Sequence, residues 1–217
     1  MSKLYIGVDI GGTSIVAARF SESEMLHKDE VPTGADRPAE AIMESLFEAI
    51  EKVMTDEVVG IGIGMPGFMN SETGEILQIN NIPSFNGFFI KPAVEKRFNL
   101  PAFQSNDANC FALGECYYGA GKKYNTLVGV TLGTGLGGGV IIDRKIHTGL
   151  MGGAGELGCV PFHGGIVEDL CSAALFKNKY QSTGAELYKK AKAGDREAMA
   201  VFEELGNYIG EFLVTVL

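Results

Sequence analysis

The chain has 217 residues, 46% of them hydrophobic, and a formal net charge of −9. That is enough apolar mass for one large domain or two smaller ones with true cores. An acidic chain without a basic run repels phosphate backbones, which excludes nucleic acid as a default partner. No apolar run reaches the ~18 residues of a membrane span, which excludes a membrane partner.

The opening Met1-Ser2-Lys3-Leu4-Tyr5-Ile6-Gly7-Val8-Asp9 is no signal peptide, because its apolar run is short and carries an aspartate. A cytoplasmic location is expected. Leu4–Ile10 and Ser14–Phe20 read as strands joined by Gly11-Gly12-Thr13, a hairpin signal. Met25–Pro32 supplies a third strand. Apolar residues at Ala41, Ile42, Leu46, Ala49, Ile50 and Val53 give helical spacing across Arg37–Met54. Val58–Ile63 is a buried strand, Phe89–Phe98 a short helix ended before Pro101, Ala102–Ser105 a strand and Ala108–Tyr118 a helix. This order predicts a mixed sheet flanked by helices.

Gly119-Ala120-Gly121-Lys122-Lys123 reads as a hinge or linker. It divides the chain into an N-terminal α/β domain, 1–118, and a larger C-terminal α/β domain, 119–217. A second three-strand pattern follows over Thr126–Leu132, Gly138–Asp143 and Lys145–Thr148. After a glycine loop come helices near Val167–Tyr180, Gly184–Ala193 and Asp195–Leu217. The two halves resemble each other: Gly7-Val8-Asp9-Ile10-Gly11-Gly12-Thr13 parallels Gly129-Val130-Thr131-Leu132-Gly133-Thr134-Gly135. The duplication predicts two lobes facing one ligand, against the alternative of two unrelated glycine hairpins.

Glycine is the compositional outlier, at 30 residues about twice the usual share. Only glycine lets main-chain amides approach a ligand so closely. Gly11-Gly12-Thr13 and Gly133-Thr134-Gly135 each offer consecutive amides and a hydroxyl, suited to a polyphosphate. Asp9 precedes the first of these turns. A carboxylate among phosphates needs an intervening cation, which makes Asp9 the candidate Mg²⁺ partner. Gly133-x-Gly135-x-x-Gly138 and Gly62-x-Gly64-x-x-Gly67 fit a dinucleotide fingerprint in letters only, because neither is followed by a helix. Gly114–Gly119 is followed by Ala120, so no P-loop is present.

Asn106-Asp107-Ala108-Asn109 falls where a strand gives way to a helix, at a carboxyl edge where α/β proteins bind ligands. Asp107 can accept the proton of an attacking sugar hydroxyl, and Asn106 can bond the sugar. Read alone, the pair serves equally as a helix N-cap. Glu156 and Glu168 follow short glycine loops and suit vicinal hydroxyls, although Glu168 also fits a helix-start carboxylate. Asn81, in the turn Asn80-Asn81-Ile82-Pro83, can present an amide to a sugar. Cys110, Cys116, Cys159 and Cys171 show no CxxC spacing and read as free, buried thiols.

Four blocks resemble the ROK kinases, bacterial glucokinases, fructokinases and N-acetylhexosamine kinases of the actin–hexokinase superfamily. They are Asp9-Ile10-Gly11-Gly12-Thr13, Asn106-Asp107-Ala108-Asn109 with Gly114-Glu115, Leu132 to Gly139, and Gly152-Gly153-Ala154-Gly155-Glu156-Leu157-Gly158. Their order and spacing hold over essentially the whole chain. The resemblance implies an α/β, two-lobed actin/hexokinase-like (ribonuclease H-like) fold with duplicated βββαβα units. It implies ATP with Mg²⁺ as donor, Asp107 as base, and Asn106, Glu156 and Glu168 as sugar contacts of a glucokinase-like enzyme. Other acceptors it admits are fructose, N-acetylmannosamine and N-acetylglucosamine. A non-catalytic sugar- or nucleotide-binding form is the competing class.

Two departures stand out. The family has a histidine after the fourth block and then a CxCGxxGC cluster that binds zinc. Here position 159 is cysteine and Val160–Val167 holds none. Cys159, His163 and Cys171 are too few for a closed site, so no structural zinc is expected. The sequence also ends inside an apolar helix, Tyr208–Leu217, where family members continue. A truncated form with an incomplete second lobe is therefore expected, its activity depending on that segment and its apolar end favouring a homodimer. The family's repressors carry a winged helix before the first block, for which the eight residues ahead of Asp9 leave no room.

Overall fold

A computed structural model describes residues 3–22, 24–70, 73–149 and 152–216. The chain divides into two compact units, Met1–Cys110 with Gly149–Gly153 and Phe111–Thr148 with Ala154–Leu217.

In the first unit, β1 (Leu4–Ile10), β2 (Ser14–Phe20) and β3 (Met25–Pro32) form an antiparallel meander with the bounds the sequence predicts. Next come α1 (Ala39–Val53), β4 (Val58–Met65), the short hairpin β5 (Phe68–Met69) with β6 (Ile76–Gln78), α2 (Ile90–Phe98) and β7 (Ala102–Asn106). The sheet order is β3-β2-β1-β4-β7, with β1, β4 and β7 mutually parallel. Helix α1 starts two residues later than its apolar spacing predicts. Pro38 is extended, at ψ 149°, and a proline keeps the residue before it out of the helical region. The helix buries Ile42, Met43, Leu46, Ala49, Ile50 and Val53 along one stripe. Opposite them lie Leu4, Ile6, Val8 and Ile10 of β1, so the even positions of β1 enter the core and Asp9 stands on the other face.

Helix α3 (Asp107–Tyr117) leads into the second unit. There β8 (Leu127–Leu132), β9 (Leu136–Ile142) and β10 (Lys145–His147) form an antiparallel sheet with β9 central. The small hairpin β11 (Pro161–Phe162) and β12 (Gly165–Ile166) precedes α4 (Val167–Cys171), α5 (Ala173–Tyr180), α6 (Gly184–Lys192) and α7 (Arg196–Val216). The helix expected near Val167–Tyr180 is therefore two helices. Ser172 is extended between them, and its Oγ accepts the Ala174 N–H to cap the second.

The segment read as a linker is tightly tied. The Gly119 and Gly121 amides both donate to the Glu115 carbonyl, and Arg144 donates to the carbonyls of Lys122 and Tyr124. Helix α7 is anchored by Phe212, 1% exposed, against Leu136, Val167 and Cys171. Among the described residues no helix is long and apolar enough to cross a membrane.

Candidate active site

Parallel pairing fixes what meets at one sheet edge. Asp9 lies opposite Gly64, and Gly64 opposite Ser105, so the carboxyl ends of β1, β4 and β7 align. Asp9, the Pro66-Gly67 turn and Asn106-Asp107 are thereby brought together within the first unit.

At Asn106-Asp107 the helix cap falls mainly to Asn106. Asn106 Oδ1 accepts the Ala108 N–H at 2.9 Å and the Asn109 N–H at 3.3 Å, which is the N-cap of α3. Its Nδ2 donates to the Gly67 carbonyl at 3.3 Å and keeps a second hydrogen. Asp107 Oδ1 takes only the Ala108 N–H, at 2.8 Å. Among the described residues its second oxygen has no donor, and the side chain is exposed.

Burial, and then the Asp107 charge, raise the Asp9 pKa above its ordinary value. One turn along α3, Cys110 lies against Gly64: a Cβ there would sit 3.4 Å from its Sγ. Burial pushes this thiol up to about 11, with Asp107 and Asp9 adding to the shift. Two carboxylates sharing one neighbourhood form a donor set that fits a hard cation.

The first glycine turn closes with the Gly11 amide donating to the Ser14 carbonyl at 2.9 Å. Among the described residues the Gly12 and Thr13 amides have no acceptor. Asn81 packs directly on this turn. A Cβ on Gly12 would lie 3.3 Å from both the Asn81 Cβ and its carbonyl oxygen, a tight fit that any side chain there would have to press against. Buried Ile79 and Ile82 hold the Asn80-Asn81 bend outward.

In the second unit, Gly133-Thr134-Gly135 joins β8 to β9, with the Gly133 amide donating to the Gly135 carbonyl at 3.0 Å. The Glu168 carboxylate lies beside Gly135, and its Oε2 accepts the Leu136 N–H at 2.8 Å. One of its oxygens is thus committed to the glycine turn, in addition to its place in the first turn of α4. Glu156 precedes a 3₁₀ turn over Leu157–Cys159. The Cys159 pKa is raised by partial desolvation of this exposed thiol and then by the charges of Glu156 and Glu168.

Cys159 is exposed and Cys110 half-buried, while Cys116 and Cys171 are buried, so the expectation of four buried thiols holds for two. Cys171 packs among apolar side chains and His163 Nε2 meets the Glu211 carboxylate at 2.9 Å, an arrangement that does not fit zinc ligation. Among the described residues no three His, Cys, Asp or Glu side chains are grouped for a metal. An open cavity of about 740 Å³ is lined by Thr134, Ala174, Lys177, Asn178 and Thr183 among others. Of these only Thr134 had a signal in the sequence, since Lys177 and Asn178 sit on an ordinary helix pattern.

The ROK family model matches residues 5–217. A glucokinase of Halalkalibacterium halodurans is 32% identical, over 95% of this chain and 74% of its own length. The N-acetyl-D-glucosamine kinase of Haemophilus influenzae is 40% identical, over 71% of this chain and 51% of its own. A ROK family glucokinase from Streptomyces griseus, solved with glucose and AMPPNP, superposes with a TM-score of 0.80 at 30% identity. It covers 98% of this chain and 78% of that one. Against these relatives and a 36% identical Clostridium perfringens protein, the chain spans between 51% and 74% of the curated proteins' length.

Proposed function

The chain belongs to the ROK family and has its actin/hexokinase-like fold, and from that premise we propose that it transfers the γ-phosphoryl group of ATP to a hexose hydroxyl with Asp107 as general base. The observation that carries this is the division of labour at the start of α3. Asn106 supplies the helix cap, and Asp107 keeps an oxygen without a partner among the described residues.

That oxygen takes the hydroxyl proton as the sugar oxygen bonds to the γ-phosphorus and the bond to the β–γ bridging oxygen breaks. Asn106, with its spare Nδ2 hydrogen, and Asn81 are assigned to sugar hydroxyls in the first unit, Glu156 and Glu168 in the second. Gly11, Gly12 and Thr13, and separately Gly133, Thr134 and Gly135, are assigned to the phosphates through amides and hydroxyls. Asp9 would hold Mg²⁺, directly or through water, and the ion would neutralise phosphate charge there.

The acceptor class is a hexose or an N-acetylhexosamine, since relatives named for both match this chain. A panel of these sugars in a coupled ADP-release assay selects among them. Asp107→Asn should lower turnover by about 10²- to 10⁴-fold while sugar affinity stays near wild type. Turnover within a few-fold of wild type in that variant would remove Asp107 as base. Wild-type chain that binds sugar but no ATP at millimolar concentration would instead support a non-catalytic binding protein.

A further inference from the structure

Thr33, directly after β3, is one of few fully buried polar residues, at 0% exposed, and the reaction makes no direct use of it. Its Oγ1 donates to the Gly11 carbonyl at 2.6 Å, and its amide donates to the Thr13 carbonyl at 3.0 Å. Both bonds end on the first glycine turn.

A trans peptide is planar, with its C=O and the following N–H pointing to opposite sides. Fixing the Gly11 carbonyl inward therefore aims the Gly12 N–H outward. Fixing the Thr13 carbonyl orients the Thr13–Ser14 peptide in the same way. The Gly12 amide is one of the two that have no acceptor among the described residues.

Thr33 is itself held. Arg37 Nη2 donates to its carbonyl at 2.6 Å and to Ser45 Oγ at 2.7 Å, which ties the bend to α1. Gly34 completes the bend at φ 59°, with the Arg37 guanidinium where a Cβ would stand.

The second unit fastens its glycine turn independently, through a backbone amide. The Gly133 carbonyl accepts the Ala173 N–H at 3.0 Å, while the single hydroxyl hydrogen of Ser172, 3% exposed, goes to the Glu168 carbonyl at 2.7 Å, with the Thr134 carbonyl farther off at 3.3 Å. In each turn a carbonyl is fastened to the unit's own interior.

We infer that Thr33 is a positioning residue for phosphate binding: its hydroxyl and amide lock the carbonyls of Gly11 and Thr13 on either side of the turn, so that the Gly12 amide faces the nucleotide. This rests on the kinase reading above for what the amides receive, and on the hydrogen bonds alone for the locking.

The test compares Thr33→Val, which keeps shape and loses the donor, with Thr33→Ser, which keeps the donor. Isothermal titration follows AMPPNP with Mg²⁺ and, separately, whichever of glucose or N-acetylglucosamine the wild type binds. Amide ¹⁵N resonances of Gly12 and Thr13 are recorded without ligand.

Thr33→Val should weaken AMPPNP about tenfold, the scale of one lost hydrogen bond. It should leave sugar affinity unchanged and shift both resonances, and Thr33→Ser should restore all three. Wild-type AMPPNP affinity in Thr33→Val, equal impairment in Thr33→Ser, or a parallel loss of sugar affinity would overturn the role. If Thr33→Val fails to fold, Thr33→Cys against Thr33→Ser makes the same comparison, a weak donor against a strong one at near-equal volume. Wild-type protein that binds no AMPPNP would sink the kinase reading, while the amide resonances still decide whether Thr33 sets the turn.

Discussion

Gly138→Ala tests how the segment bearing Glu156 is held. A Cβ on Gly138 would lie 2.5 Å from the Gly155 carbonyl oxygen and 2.8 Å from Leu157 Cδ1. The first contact is about 1 Å short of the ~3.5 Å at which carbon-scale contacts are optimal. Strand β9 cannot yield, because it pairs with β8 through Val130 opposite Gly138 and with β10 through Val140 opposite His147. The yielding partner is then the turn around Gly155, whose carbonyl also accepts the Leu157 N–H at 2.7 Å. Overpacking of this kind costs about 2 kcal/mol, which for a protein of this size lowers Tm by about 4–8 °C. Sugar affinity should fall with it, since Glu156 moves with the turn, while AMPPNP affinity falls less. Scanning calorimetry and titration with both ligands provide the readout. Wild-type Tm together with wild-type sugar affinity would refute the backbone crossing as the anchor. Gly155→Ala should cost about 1–3 kcal/mol more, because its φ of 97° is strained for any side chain.

The same substitution should act in the opposite sense at Gly206. This residue is exposed within α7 and a Cβ there would meet nothing within 4 Å, so Gly206→Ala should stabilise by about 0.5–1 kcal/mol; urea titration showing destabilisation would contradict the open geometry. Asp9 ionises at a higher pH in the folded chain than in the unfolded one, owing to burial and to Asp107. Its contribution is therefore present below the ordinary aspartate range and lost as pH rises through the raised folded value. Asp9→Asn should accordingly raise Tm relative to wild type at pH 7, with the gain fading toward pH 4; a gain independent of pH would point to another cause.

The first strand was legible because period-2 burial runs through Leu4–Ile10, and the second because a glycine turn joins it to the first; Met25–Pro32, exposed along most of its length, carries no such alternation. The carboxyl-edge position of Asn106-Asp107 was legible for a related reason, a strand signal meeting a helix signal. Ser172 was not, since a serine inside an apolar helical pattern reads as one more helical residue until its hydroxyl is seen capping a second helix. Gly119–Lys123 reads as a hinge or linker from its small residues, and the structure adds a packing reason for one of them, since a Cβ on Gly121 would meet Leu127 and the Glu115 carbonyl. The cavity beside Lys177 is lined mostly by residues 173–186, and what the local pattern omits is Thr134, which joins them from the glycine turn.

Asn106 and Asp107 show why cap and base were inseparable in the sequence and distinct in space. A helix start needs one good acceptor for its first free amides, and a neutral amide oxygen serves as well as a carboxylate. With Asn106 in that place, the carboxylate at the next position is released from structural duty, one oxygen resting on the Ala108 N–H. Thr33 follows the same logic on the other side of the edge, since a buried hydroxyl that fastens carbonyls leaves amides facing out. In both places a neutral polar group takes over structural hydrogen bonding, and the group left open is the one to which the proposed phosphoryl transfer assigns a role.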